Sequence, residues 1–230
     1  MVRVLAVSDE EAPTLTPARI SELRVDLVLG AGDLAWDYLE YVTEAADAPL
    51  AFVPGNHDPA IPSGRRTRAG LWVRDGRPAP EPRPLGGVNL DERVVSVAGL
   101  RIAGLGGCVR YRPGPHQHEQ REFDRRARRL VRRARRLGGV DILLSHAPPY
   151  GLGDGEDPPH CGIRALLPLI DQLQPAWLLH GHVHPDGEPR PDRRSGVTTI
   201  ANVIPYRVLE IEPATGGGRR AQHRLAPRRR

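Results

Sequence analysis

Val2-Arg3-Val4-Leu5-Ala6-Val7-Ser8-Asp9 decides the fold: a largely apolar run with the length and branched content of a buried strand stops on a hydroxyl and a carboxylate. Runs of the same character recur at 26–31, 49–54, 140–145 and 175–180, and polar clusters follow them: Gly32-Asp33, Gly55-Asn56-His57-Asp58, Ser145-His146 and Gly181-His182. Strands that are apolar throughout, instead of alternating, are covered on both faces, the usual condition of parallel pairing. Helical segments fill several of the gaps. Thr16 and Pro17 make an N-cap and first position for a helix to about Arg24, and Trp36 to Ala46 carries a second. This alternation predicts an α/β fold with largely parallel pairing. Two more segments, 93–107 turning near Ala98-Gly99 and Val197 to Ile211, read as strand pairs that add antiparallel strands to a second sheet.

A chain of 230 residues has room for one domain with a substantial core. That domain is expected over residues 1–212. Residues 213–230, Pro-Ala-Thr-Gly-Gly-Gly and then arginines, bury too little apolar surface to offset their ordering entropy and are expected to be disordered. Residues 59–88, rich in Pro, Gly and Arg, read as a surface excursion. No apolar stretch approaches the roughly 20 residues of a membrane span, and the N-terminal run is too short for a signal peptide. Cys108 and Cys161 are too few for a disulfide framework. A soluble cytoplasmic protein with reduced thiols and no membrane partner is the expectation.

The net charge of +5 and the pI near 9.8 invite a nucleic-acid reading. Their distribution weakens it. All 33 basic residues are arginine, and six of them lie in the tail without an acid, so the folded body is close to neutral. A helix from about Gln120 to Leu137 holds nine arginines against Glu122 and Asp124. Phe123, Ala127, Leu130, Ala134 and Leu137 fall on one stripe, which makes it amphipathic with a solvated basic face. A basic rim that draws in an anionic substrate is the sharper alternative.

Asp9, Asp33, Asn56, His146 and His182 each lie where an apolar run stops, and the ends of parallel strands bring such residues to one edge of a sheet. Carboxylates, an amide and imidazoles gathered there are the donors that a pair of divalent cations needs for phosphoester hydrolysis. Taken singly, each has a plainer reading: Asp33 as a helix cap, Asn56-His57-Asp58 as a turn, His146 as a core residue.

The ordered set Asp9-x-Glu11, Gly32-Asp33, Gly55-Asn56-His57-Asp58, His146 and Gly181-His182-Val183-His184 resembles the calcineurin-like metallophosphoesterase superfamily from Asp9 to His184. The resemblance implies a two-sheet α/β sandwich flanked by helices, with mixed parallel and antiparallel strands. It also implies two divalent metal ions. Asp33 would bridge them, Asp9, residue 11 and His184 would complete the first site, and Asn56, His146 and His182 the second. Metal-bound hydroxide would attack the phosphorus of a phosphate mono- or diester, with His57 as general acid oriented by Asp58.

Most members carry His two residues after the first Asp, where this chain has Glu11. An added carboxylate favours manganese or magnesium over zinc, so Mn²⁺ is the expected ion, ahead of Mg²⁺, Fe²⁺ or Zn²⁺. Glu11 as a simple surface acid is the alternative. The surrounding sequence resembles a bacterial and archaeal subgroup of the superfamily. Its loop from Ala147 to His160 would overhang the metals, and Arg110, Arg112, His116 and His160 are candidates to touch substrate phosphate. A small phosphoester is the expected substrate. Two competing readings keep the fold: a binding or scaffold protein without turnover, and a nuclease drawn to DNA or RNA by its arginines. Two Phe, five Tyr and three Trp make a poor stacking platform for the latter. The oligomeric state is not legible.

Overall fold

The computed structural model describes residues 1–61, 65–69, 71–74, 76–78, 83–185, 187 and 190–213. In chain order its main elements are β1 (Val2–Val7), α1 (Pro17–Leu23), β2 (Leu27–Gly30), α2 (Trp36–Ala46), β3 (Leu50–Phe52), β4 (Val88–Asn89), β5 (Val94–Val97), β6 (Leu100–Leu105), α3 (Gln120–Arg136), β7 (Ile142–Ser145), α4 (Leu166–Leu173), β8 (Trp177–His180), β9 (Arg193–Ser195), β10 (Thr198–Asn202) and β11 (Tyr206–Ile211). One sheet has the order β11-β1-β2-β3-β4, the other β9-β10-β8-β7-β6-β5. Pairing is parallel from β1 to β4 and among β6, β7, β8 and β10, and antiparallel at β11, β9 and β5. The molecule is the expected two-sheet α/β sandwich.

Alternate residues of each strand serve two cores. Val4, Ala6 and Leu29 meet Ile102, Leu144 and Leu179 of the other sheet, while Leu5, Val7 and Val28 face Ile20, Leu39 and Val42 of α1 and α2. On the far side Leu143 and Leu178 pack on Phe123, Leu130 and Leu166 of α3 and α4. Burial on both faces is why the strands read as continuous apolar runs. The Thr16 hydroxyl accepts from Arg19 N at 3.3 Å, the expected cap of α1.

Ala98 (φ 49°) and Gly99 (φ 80°) make the two-residue turn between β5 and β6. Val197 to Ile211 is a correction. β10 joins the second sheet and β11 the first, so they do not pair with each other. Val203-Ile204-Pro205 lacks the glycine or asparagine of a tight hairpin and crosses between sheets instead, with Val203 N donating to His180 O at 2.8 Å and Ser8 N to Pro205 O at 3.2 Å. A second correction concerns α3. Its helix ends at Arg136, so Leu137 leaves the apolar stripe and is 48% exposed, while Arg126, read as part of a solvated face, is buried.

Within the 59–88 excursion, Arg65–Arg66, Trp72–Arg74 and Arg77–Pro78 form a small antiparallel sheet. Residues 214–230 of the expected tail lie outside the described residues. Among the described residues, no helix is long and apolar enough to cross a membrane.

Candidate metal centre

The loops after β1, β2 and β3 in one sheet and after β7 and β8 in the other meet at one end of the sandwich. Asp9, Asp33 and His182 take left-handed backbone angles, φ 61°, 56° and 69°, a region open mainly to Asn, Asp and His among residues other than glycine. Such conformations cluster at working sites because they aim side chains that a relaxed turn would not. Two glycines permit the crowding. A Cβ at Gly55 would overlap Asp33 Oδ1, and one at Gly181 would overlap Ser8 Oγ and Asp9 Oδ2.

Asp33, His146 and His182 each bring a ligand atom to within 4.8 Å of the others. His146 Nδ1 lies 2.8 Å from Ala31 O and so carries the proton as donor. Its other nitrogen, Nε2, faces Asn56 Oδ1 at 3.0 Å and Asp33 Oδ2 at 3.3 Å. With Nδ1 committed, three lone pairs converge in a buried space, an arrangement that requires either a proton or a cation among them. His182 Nε2 donates to Pro159 O at 2.8 Å, which leaves Nδ1 as its free ligand atom. The donor set therefore fits a divalent ion.

Asp9 stands beside this group. Its Oδ2 accepts from Ser8 Oγ at 2.6 Å and from His182 N at 2.9 Å, and its Oδ1 lies 3.9 Å from His184 Nε2. His184 is aligned by a residue that sequence reasoning missed: its Nδ1 lies 2.7 Å from Glu10 Oε1. Glu11 is exposed on the other side of the turn, close enough to Tyr38 that its charge adds to the rise in that phenol's pKa caused first by burial. The turn decides between them. Glu10 N donates to Ser8 O at 2.7 Å, and the resulting bend sends residue 10 toward His184.

His57 is exposed, and its backbone N donates to Asp33 Oδ1 at 2.7 Å. Asp58, the expected orienting partner of the His57 ring, is engaged elsewhere. Its Oδ2 accepts from Gly55 N at 2.7 Å and Asp33 N at 3.2 Å, which locks the two loops together.

Each of the four residues expected near substrate has a partner within the chain. Arg110 binds Gln117 O and pairs with Glu119 and Glu122 at 3.6 and 3.5 Å. Arg112 lies over the Tyr111 ring, whose hydroxyl is 3.4 Å from Asn56 Nδ2. His116 Nε2 meets Pro59 O at 2.9 Å. His160 pairs with Asp157, and its ring centroid is 5.6 Å from that of His182. The 147–160 loop does reach the centre, through Pro159 O.

Charge in the centre is unevenly shared. Burial alone would lower the pKa of His146, but the Asp33 and Asp9 carboxylates prevail and raise it to about 9. Burial works against ionised Asp33, yet His146 and the His57 N–H hold its carboxyl below the usual range. Burial raises Asp9 and Asp58. It also lowers His182 to about 3, with help from cationic His146.

His180, buried on β8 beside Gly153, is lowered by desolvation to about 4. The unfolded chain therefore binds a proton below pH 6.5 that the native state refuses until about pH 4, and this group's contribution falls as pH falls through that window. Relative to His180→Gln, metal-free wild type should lose about 2 kcal/mol of stability between pH 7 and pH 5. Urea midpoints at the two pH values measure it; parallel curves would contradict it.

Known proteins place this architecture. One solved crystal structure superposes with a TM-score of 0.58 at 16% identity, covering 87% of this chain and 89% of its own. The crystal structure of TT1561 from Thermus thermophilus gives 0.53 at 15% identity, covering 87% and 88%. At these identities the likeness is one of fold. The UPF0046 protein K07C11.7 of Caenorhabditis elegans is 38% identical over 45 residues, and that match spans 20% of this chain and only 16% of the relative. The calcineurin-like phosphoesterase family model matches residues 8–186, from the loop after β1 to just past His184, and on that span the chain belongs to this family.

Proposed function

We propose that the chain is a cytoplasmic, metal-dependent hydrolase of phosphate mono- or diesters that uses two divalent cations, manganese by preference. The observation that carries the proposal is the convergence of unshared electron pairs from His146 Nε2, Asn56 Oδ1 and Asp33 Oδ2 in a buried space. Asp33, Asn56, His146 and His182 would hold one cation, and Asp9, His184 and the shared Asp33 the other. When bound, such a pair supplies Lewis acidity toward phosphoryl oxygens and acidifies water.

The chain's own groups do the rest. Ala31 O and Pro159 O fix the tautomers of His146 and His182, so that each presents one basic nitrogen. Glu10 does the same for His184, whose Nε2 is left facing Asp9 Oδ1 at 3.9 Å. His57, held by its backbone to Asp33, would protonate the departing ester oxygen from its ring and recover the proton from water. Two free thiols accord with a reducing compartment.

Two variants test the division of labour. His57→Ala should lower kcat by about 10²–10⁴-fold while keeping its metal. Glu10→Ala should weaken metal affinity about 10–100-fold, with activity recovering at high Mn²⁺. Metal analysis beside an assay on chromogenic phosphoesters reads both. Tight metal binding without hydrolysis of any mono- or diester would replace this function with the scaffold reading.

A further inference from the structure

A cleft of about 360 Å³ opens beside His57, between the loop after β3 and the start of α2. Leu34, Ala35, Trp36 and Pro59 supply its apolar walls, and His57 lines it together with Asp33 and Asp58. The carboxylates have other partners: Asp33 Oδ1 receives the His57 N–H, and Asp58 Oδ2 receives those of Gly55 and Asp33. The imidazole of His57 is thus a polar group of the lining that can meet an occupant. No arginine is among the described residues that line the cleft, in a chain with 33 of them. A second phosphate or another anionic group would find no counter-charge there.

Trp36 is half-buried against the core beneath the first sheet, which holds the indole in place as a wall. A fixed indole with a proline nearby suits a flat apolar ring, which stacks offset or edge-on. The volume is at the small end of ligand pockets and admits one ring system. The position of the cleft gains its meaning from the proposed function, on which this inference rests. A phosphoryl group seated at Asp33 whose leaving oxygen takes a proton from His57 must carry the rest of its alcohol past His57, and this cleft is what lies there.

We infer that the cleft is the leaving-group subsite, and that it selects phosphoesters whose departing alcohol carries a single uncharged flat ring system, aryl or nucleobase, with Trp36 as the specificity-determining residue.

The test compares KM of the manganese-loaded full chain for phenyl phosphate and adenosine 5′-phosphate with KM for glycerol phosphate. In Trp36→Ala the ratio of ring-bearing to ring-free KM should rise about tenfold. Trp36→Phe, which restores a ring, should recover most of it. Ala35→Phe, which fills the cleft and leaves Trp36 in place, should raise the ratio again. Movement of the phenyl or the adenosine ratio alone identifies the ring class; a ratio that stays constant for both overturns the assignment. A second readout needs no turnover. With Trp72 and Trp177 changed to Phe, fluorescence of Trp36 in the magnesium-loaded protein should be quenched saturably by a ring-bearing phosphate and not by glycerol phosphate. Quenching without hydrolysis would keep the subsite and reject the enzyme; hydrolysis without quenching or a change in KM ratio would do the opposite.

Discussion

Asp33→Asn should lower kcat/KM at least about a thousandfold and strip the chain of bound metal, while leaving it folded. The carboxylate holds two positions at once, with Oδ1 on the His57 backbone N–H at 2.7 Å and Oδ2 opposite His146 Nε2 at 3.3 Å. An amide keeps the first contact through its oxygen. Its NH₂ then points at His146 Nε2 and places a hydrogen where a cation would have to sit. The convergence of lone pairs is relieved by a donor, so the metal-free fold should tolerate the change. Catalysis should not, because charge stabilisation by the cations is worth several kcal/mol and each 1.36 kcal/mol is tenfold in rate. Metal analysis and steady-state kinetics on the same preparation decide it. Full metal content with activity within tenfold of wild type would remove Asp33 from the centre.

Arg126→Ala should cost about 3–5 kcal/mol of stability, read from urea unfolding. Arg126 lies on α3 and is 4% exposed. Its guanidinium meets Asp91 Oδ1 at 2.5 Å, Glu92 Oε1 at 3.0 Å and Gly106 O at 3.1 Å. Truncation would strand Asp91, whose carboxyl is already raised by burial against the pull of Arg126. Removing one partner of a buried pair is costlier than removing both, so Arg126→Met with Asp91→Asn should recover part of the loss. The injury should also reach the centre. Gly107 N donates to Pro54 O at 2.8 Å, one step from Gly55 and Asn56. A loss below 1 kcal/mol would mean that water already screens the pair.

The α/β class with parallel strands was legible because burial on both strand faces writes itself as unbroken apolar runs, and the candidate residues because they follow those runs; the two-sheet sandwich and the roles of those residues came with the family resemblance. What escaped depended on angles that spacing does not encode. The sequence offers Glu10 and Glu11 side by side; only the left-handed turn at Asp9 shows which one faces His184. The resemblance made Asp58 the partner of His57, whereas its Oδ2 accepts from the loop amides of Gly55 and Asp33. Arg126 was hidden among nine helical arginines, since its burial depends on acids 34 and 35 residues away. β10 and β11 looked like neighbours because a sequence carries no mark of which sheet a strand enters.

Asp9, Asp33 and Asn56 hang from one sheet and His146 and His182 from the other, with His146 to Ala31 O and Asp9 to His182 N among the bonds across the seam. An ion seated among them would act as a rivet through both layers, opposing shear of one over the other. Heat resistance would then track the supply of the ion, rising as RT ln(1 + [L]/Kd), so that scarcity would loosen the whole sandwich as well as silence its chemistry.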